Sequence, residues 1–535
     1  MANNSSKIGL IKKALYIWIV QYHGMIPMKI LKRYIHKFRH ESENISKYGQ
    51  RYFDPSDAQE YNRWLSLQEY KTDTVPLDVT FIGKDLSGFD GHGKPCRSME
   101  RLDLSGINSE YIGVVNGAVS LYPQMDAYLS DAVNGDITYF DHDMNLDGNR
   151  SNPVLKPDFS YFLLRQYNCF GDLYIIRKEL LEQFNGEDFK PYLWLLKLSD
   201  QNVRWNHVSK ILYAVKKEQL YDVDTVKMYF KDTGIKADIT VNADGMSAYV
   251  SYPVIGNPLV SIIIPTKDGK NVLKTCIDSI YEKSTYRNFE IVIADNNSEK
   301  EETFQYFEQL KKEHDNISVI KVSTPFNFSL INNRAIAQSH GDYVIMLNND
   351  TEIITPNWLE KMIGYAQMEK CGSVGVKLYY GDGTIQHGGV ITGKGGGFAH
   401  RYYRKPHDEK GYLHTMETVN DVACCTAACL MIPRKKFDEV GGMNEELTVQ
   451  FNDVDLGLKL YEHGYFNVFM PDVELFHYES KSRGIDKNKE AVDRFESEVS
   501  YAETHYASYL RHDPFYNDQF DKNYDYMLIV GTGSN

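Results

Sequence analysis

Between residues 259 and 353 the chain alternates between two hydrophobic periods. "LVSIIIP" (259–265) is a short unbroken apolar run, the pattern of a buried strand. "NVLKTCIDSIYEKS" then sets Val272, Leu273, Cys276, Ile277 and Ile280 on one helical face. "FEIVIADNNS" predicts a second strand, "EETFQYFEQLKKEH" a helix, "ISVIKV" a strand and "LINNRAIAQSH" another helix. "DYVIMLNNDTEI" (342–353) closes the series as a strand that ends on Asn348, Asn349 and Asp350. Strands alternating with helices at this spacing predict an α/β domain with a parallel, doubly wound sheet. Ligands of such sheets lie outside the carboxyl ends of the strands, so Thr266, Asp295 and Asp350 are expected along one edge. Asn and Asp are also ordinary turn residues, and a plain strand-end turn accounts for Asp350 equally well.

The glycine pattern narrows the ligand. No G-x-G-x-x-G turn follows the first strand, and "KGGGF" (394–398) lies in neither the strand nor the helix context that a dinucleotide site requires. A G-x-x-x-x-G-K phosphate loop is absent too. Without such a cradle, a diphosphate needs its charge met by a metal ion. Further along, "VQFNDVDLGLKLYEHGY" (449–465) offers Asp453 and Asp455 ahead of an amphipathic helix, where capping is the simpler role. "FHYESKSRG" (476–484) supplies His477 and Arg483 in a predicted loop, and an isolated histidine is more often structural than a ligand.

At 535 residues the chain is too long for one core and predicts two to four domains. A composition of 42% hydrophobic and 25% charged residues is that of a folded protein. The net charge of -14 argues against nucleic acid as a main partner. Cys424, Cys425 and Cys429 sit in an apolar run at a spacing that fits no zinc signature, so the seven cysteines read as reduced core residues of a reducing compartment. Neither a signal peptide nor a membrane span is evident. The first forty residues mix Lys12, Lys13, Lys29, Lys32, Arg33 and Lys37 with apolar side chains, and Ile8, Ile11, Leu15 and Ile19 keep helical spacing. Such a basic amphipathic segment suits an anionic bilayer surface, or packing on its own domain in equal measure.

Taken in order, "VSIIIPTKDG", "IVIADNNS", "FNFSLINNRA", "GDYVIMLNNDTEI", "IQHGGV", "GGMNEELTVQFNDVDLGLKLYEHGY" and "HYESKSRG" resemble the family-2 nucleotide-sugar glycosyltransferases of the GT-A fold. The resemblance covers about residues 257–485 and is closest to the branch that builds bacterial O-antigens and rhamnose-rich chains, which "DPFYNDQF" in the tail also resembles. It implies an inverting, metal-dependent transferase with a nucleoside-diphosphate sugar donor, UDP- or dTDP-linked. The acceptor it implies is a growing, lipid-linked surface glycan, and the location is cytoplasmic at the inner face of the plasma membrane. It puts the nucleotide near Thr266, Asp268, Asp295, Asn327 and Asn349, a Mn²⁺ or Mg²⁺ ion on Asp350 and His477, the catalytic base at Asp453 with Asp455 next in line, and Arg483 beside the diphosphate. Asn348 stands where the family's metal motif carries its first aspartate, which leaves Asp350 as that motif's single anionic ligand. A carbohydrate-binding or scaffold protein is the alternative class, and oligomers are open.

The front half echoes the back half. "NCFGDLYIIRKELLEQFNG" (168–186) runs beside "CCTAACLMIPRKKFDEVGG" (424–442) without a gap, and "YIGVVNGAVSLYP" (111–123) shadows "YVIMLNNDTEIITP" (343–356). "LWLLKL" (193–198) likewise shadows "DLGLKL" (455–460), and on these pairings Asp350, Asp453 and His477 face Ala118, Pro191 and Val215. The expected organisation is therefore a basic helical segment over 1–75, a truncated non-catalytic GT-A-like domain over 76–250, a catalytic GT-A domain over 251–485 and a helical tail over 486–535. The rival is a bifunctional enzyme in which Asp141 and Asp143 of "YFDHDMNLDG" form a second metal motif.

Overall fold

The computed structural model describes residues 50–531, apart from 74–76, 218, 479–488, 523–524 and 527. The amphipathic stretch over residues 1–40 and Arg483 both lie outside the described residues. No helix among the described residues is long and apolar enough to cross a membrane.

Two large sheets carry the fold, and their strands are numbered here in chain order. The first contains β1 (Val79–Gly83), β2 (Cys96–Ser98), β3 (Tyr111–Val115), β4 (Val119–Leu121), β5 (Ile137–Leu146), β6 (Asn149–Val154), β7 (Leu173–Arg177) and β8 (Trp205–Val215). The second contains β9 (Val260–Thr266), β10 (Phe289–Asp295), β11 (Ile317–Lys321), β12 (Tyr343–Leu347), β13 (Thr351–Ile353), β14 (Cys371–Tyr379), β15 (Ile385–His387), β16 (Asn420–Val422), β17 (Cys429–Pro433) and β18 (Phe466–His477).

The second sheet runs β11-β10-β9-β12-β17-β14-β18-β13, with β15 on β14 and β16 on β18. Its first four strands are parallel and alternate with the helices Lys270–Lys283, Glu301–Glu313 and Phe328–Ile336, as the hydrophobic periods predict. Beyond β12 the expectation of a wholly parallel sheet fails, because β17 is antiparallel to both β12 and β14. The domain is therefore a mixed α/β, GT-A-like sheet. Strand periodicity is blind to direction, since a buried apolar run looks the same in either sense.

The first sheet repeats this plan. Its order is β2-β1-β3-β7-β5-β8-β4, with β6 on β5, which matches the second sheet strand for strand once β11 and β16 are set aside. Registers agree as well. Tyr111 pairs with Arg177 where Tyr343 pairs with Pro433, and Val119 pairs with Val215 where Thr351 pairs with His477. Even the register break in the long parallel pair recurs, at Phe140/Asp141 and at Val376/Lys377. Where the second sheet spends three helices and two strands between β9 and β12, the first has only β2 between β1 and β3.

A single apolar cluster runs through both sheets, from Ile82, Trp194 and Tyr252 to Ile262, Trp358 and Met470. Phe159 stacks on Trp205 at 4.1 Å, and Phe466 of β18 meets both Phe159 and Tyr161. Polar contacts fix the angle between the halves. Asp421 of β16 is buried and accepts from Ser160 Oγ and from the N–H groups of Phe162 and Leu163, so it caps the helix Tyr161–Leu164 of the other half. Burial pushes its carboxyl up to about 6, opposed by those donors. Gln166 bridges in both directions, donating to Tyr365 Oη and accepting from Val419 N–H.

The tail joins the same seam. Asn517 and Gln519 donate to Asp141, while His512 contacts both Asp158 and Asp518. Asp141 also accepts from Lys156 N–H and meets His207 at 2.9 Å, and Asp143 is ion-paired with Arg150 and accepts from Tyr61 and Tyr122. Both aspartates of the supposed second metal motif are thus fully buried and surrounded by protein donors and cationic partners.

Replacing Asp421 with Ala should leave the Phe162 and Leu163 amides without their buried acceptor and cost about 1–3 kcal/mol in a urea titration. Histidine protonation should also be visible in stability. Burial lowers the His207 pKa, but Asp141 and Asp158 outweigh it and raise the ring to about 9; the hydrogen bonds that His512 donates to Asp158 and Asp518 raise it to about 10. Folded-state values above the unfolded 6.5 give stability that is complete below pH 6.5 and lost as pH climbs through 9–10. The thermal midpoint should fall over that window, and by less in His512→Gln.

Candidate active site

Of the three residues expected along one edge, Thr266 and Asp295 lie side by side, and Asn349 rather than Asp350 bonds to Thr266. Thr266 ends β9 directly beside Asp295, which ends β10, and both are buried. Asn349, at the end of β12, donates from Nδ2 to Thr266 Oγ1 at 2.9 Å and closes the row. Asp295 accepts from Ser298 N–H across the following turn, where Asn297 adopts φ 63°.

Two of the predicted nucleotide residues carry structural duties here. Asp268, itself at φ 53°, accepts from the N–H groups of Glu299 and Lys300 just before the helix Glu301–Glu313. Burial raises its carboxyl, and those backbone donors outweigh the effect and hold it below the ordinary range. Asn327 caps the helix Phe328–Ile336 by accepting from Leu330 N–H, and its amide nitrogen donates to the Glu445 carbonyl.

Asp350 and His477 meet. Thr351 and His477 are paired on adjacent antiparallel strands, and this brings His477 Nε2 to 3.1 Å from Asp350 Oδ1. Asn348 Nδ2 approaches the same ring nitrogen at 3.2 Å. The other nitrogen, Nδ1, lies 2.7 Å from Gln386 Oε1 on β15. Two ligand atoms 3.1 Å apart suit neighbouring positions around a small cation with bonds of about 2.1 Å. A carboxylate, an imidazole and nearby amides form a donor set for Mn²⁺ or Mg²⁺. Among the described residues Asp244, His414 and Glu417 also converge, but both carboxylates address the single His414 Nδ1 and Lys410 pairs with Glu417, the arrangement of an ion-pair cluster.

Asp453 reaches the same neighbourhood through the loop that precedes β17. Asn348 N–H donates to the Ala428 carbonyl, and the adjacent Ala427 N–H donates to Asp453 Oδ2 at 3.3 Å. Asp453 is half-buried in the first turn of the helix Asn452–Glu462, where the capping position belongs to Phe451 at φ 60°. Asp455, two residues on, is buried: Tyr506 Oη donates to its Oδ1 at 2.6 Å and Lys459 lies 3.1 Å from its Oδ2. It is locked where Asp453 is open.

Four supporting residues escaped sequence reasoning. Gln386 orients His477. His387 accepts from Thr426 N–H beside the Asp453 contact, and burial together with His400, Arg401 and His477 keeps its ring well below the ordinary pKa. Gly389, at φ 92°, leaves room for the Arg401 side chain, which donates to the Gly388 carbonyl and Asn420 Oδ1. Glu498, on the helix Lys489–His505, accepts from the N–H groups of Thr448, Val449 and Gln450 and so shapes the approach to Asp453. The motif "IQHGGV" marked the first three; nothing local in the tail marked Glu498.

A mixed α/β sheet whose strand ends gather a polar edge, a carboxylate–histidine pair and a half-buried carboxylate gives this half of the chain a GT-A-like fold. Residues 261–441 match the family model described as Glycosyl transferase family 2, and that part of the chain belongs to the family. Over 405 residues the chain is 36% identical to the uncharacterized protein y4gI of Sinorhizobium fredii, covering 71% of this chain and 45% of that protein. Over 407 residues it is 34% identical to the O-antigen biosynthesis protein RfbC of Myxococcus xanthus, covering 71% and 31%. A Mycobacterium tuberculosis N-acetylglucosaminyl-diphospho-decaprenol L-rhamnosyltransferase is 24% identical over 222 residues, 38% of this chain and 71% of that one. The chain thus spans less than half the length of the first two relatives.

Mn²⁺ at a hundred times its Kd should stabilise the folded protein by about 2.7 kcal/mol. The matching rise in thermal midpoint should vanish in both Asp350→Ala and His477→Ala.

Proposed function

We propose that the protein is a metal-dependent, inverting glycosyltransferase that moves a hexosyl or deoxyhexosyl group from a nucleoside-diphosphate sugar to a hydroxyl of a lipid-linked bacterial surface glycan. The observation that carries this reading is the 3.1 Å pairing of Asp350 with His477, with Asp453 tied through Ala427 to the same strand end. The family match over 261–441 and the O-antigen and rhamnosyltransferase names of the relatives support it.

In this reading Thr266, Asp295 and Asn349 line the nucleotide, and Asp350 and His477 would hold a divalent cation. That cation would supply positive charge to the departing diphosphate. Asp453 Oδ takes the proton from the acceptor hydroxyl as its oxygen attacks the anomeric carbon. The bond from that carbon to the diphosphate oxygen breaks on the opposite face, so configuration inverts. Asp455 takes no part, because Tyr506 and Lys459 already occupy it. Arg483 and a peripheral membrane contact through residues 1–40, at the inner face of the plasma membrane, belong to the same reading.

The first half serves as a non-catalytic copy. Ala118 and Val215 stand at the register positions of Asp350 and His477, and Pro191 opens the helix that matches the one bearing Asp453. The buried partners of Asp141 and Asp143 leave no open ligand pair for a second active centre.

Screening sugar nucleotides by thermal shift with Mn²⁺ identifies the donor, and the same donor should then be hydrolysed slowly. Asp453→Asn should keep donor affinity nearly unchanged while turnover falls roughly 10²- to 10⁴-fold. Undiminished turnover would reassign the base, and no metal-dependent release of nucleoside diphosphate from any common donor would leave a carbohydrate-binding protein instead.

A further inference from the structure

Gln386 is almost fully buried, at 4% exposure, and directs both ends of its amide at one residue. Its Oε1 lies 2.7 Å from His477 Nδ1, and its Nε2 faces the His477 carbonyl at 3.5 Å. The second contact fixes which end of the amide is oxygen. An amide oxygen can only accept, so His477 Nδ1 carries a proton, and in the neutral ring Nε2 presents its lone pair. That lone pair faces Asp350 Oδ1 and Asn348.

The internal repeat supplies an independent comparison. Just past the shared register break, His142 of β5 and Leu378 of β14 hold the same place, since they pair with Tyr213 and Leu475 of the matching strands β8 and β18. His142 then pairs with Val154, and Leu378 with His387. Pro153 therefore stands where Gln386 stands, in the half where Val215 replaces His477. Proline has no side-chain acceptor at all. The amide and the imidazole are present together in one half and missing together from the other.

We propose that Gln386 is a positioning residue for the metal centre: it holds His477 in the Nδ1–H tautomer and aims Nε2 at the cation. This rests on the metal reading of Asp350 and His477. The cost of losing such an outer hydrogen bond to a ligating histidine is commonly 10- to 100-fold in metal affinity.

The test uses the full chain. In wild-type protein labelled with ¹⁵N-histidine, without metal or donor, the His477 ring signals, assigned by their loss in His477→Gln, should report the Nδ1–H tautomer. The Nε2–H tautomer would overturn the proposal, and this readout depends on neither a mutant's folding nor any transferase activity. Mn²⁺ titrations followed by electron paramagnetic resonance should then show affinity about 10- to 100-fold weaker in Gln386→Ala. Gln386→Glu, which keeps an acceptor, should recover most of that loss. Equal Mn²⁺ affinity in wild type and Gln386→Ala, or an equal loss in the Ala and Glu variants, would overturn it as well. If the tautomer and affinities are as expected while no donor is cleaved, the transferase reading fails and the role of Gln386 stands.

Discussion

The antiparallel ladder between β12 and β17 is the constraint from which the site is built. Its last bond, from Asn348 N–H to the Ala428 carbonyl, brings together segments about eighty residues apart. On one side it fixes Asn349 and Asp350; on the other it fixes Ala427, whose N–H holds Asp453. The first half keeps the same bond, from Asn116 N–H to the Asp172 carbonyl at 2.8 Å. There Gln219 reaches Asp172 and the Asn116 carbonyl and lies against Gly117. Around this bond the backbone frame is the same in both halves, while the side chains hung on it differ.

The parallel part of the second sheet was legible because its strands are short apolar runs separated by helices with clear buried faces, as with Leu273, Cys276, Ile277 and Ile280. The direction of β17 was not, since "CLMIP" carries no signal for which way it runs. The pairing of Ala118 with Asp350 and of Val215 with His477 was readable from a series of short matched segments, and the strand registers agree with it. Asn327 and Asp268 look alike in sequence whether they touch a ligand or cap a helix; only the fold shows their bonds to Leu330 and to the amides of 299–300. Glu498 was invisible because its three partners lie about fifty residues away, in a loop whose shape is set by tertiary packing.

The two halves treat their charges differently. In the second, Asp350 and His477 are buried beside a half-buried Asp453, while the first closes Asp143 on Arg150 and Asp141 on His207. Buried charges of that kind require partners, and the tail supplies several of them through Asn517 and Gln519. Unlike a loose appendage, the tail binds both halves: Asp513 accepts from Thr392 N–H of the second while Asn517 serves the first.

The apolar cluster common to both sheets bears on how the molecule can be divided. A fragment cut at residue 251 would uncover Phe466, Tyr365 and the Asp421 carboxylate, all of which now face the preceding half. The first half thus supplies part of the second half's interior, so the two share one core rather than meeting as separable modules.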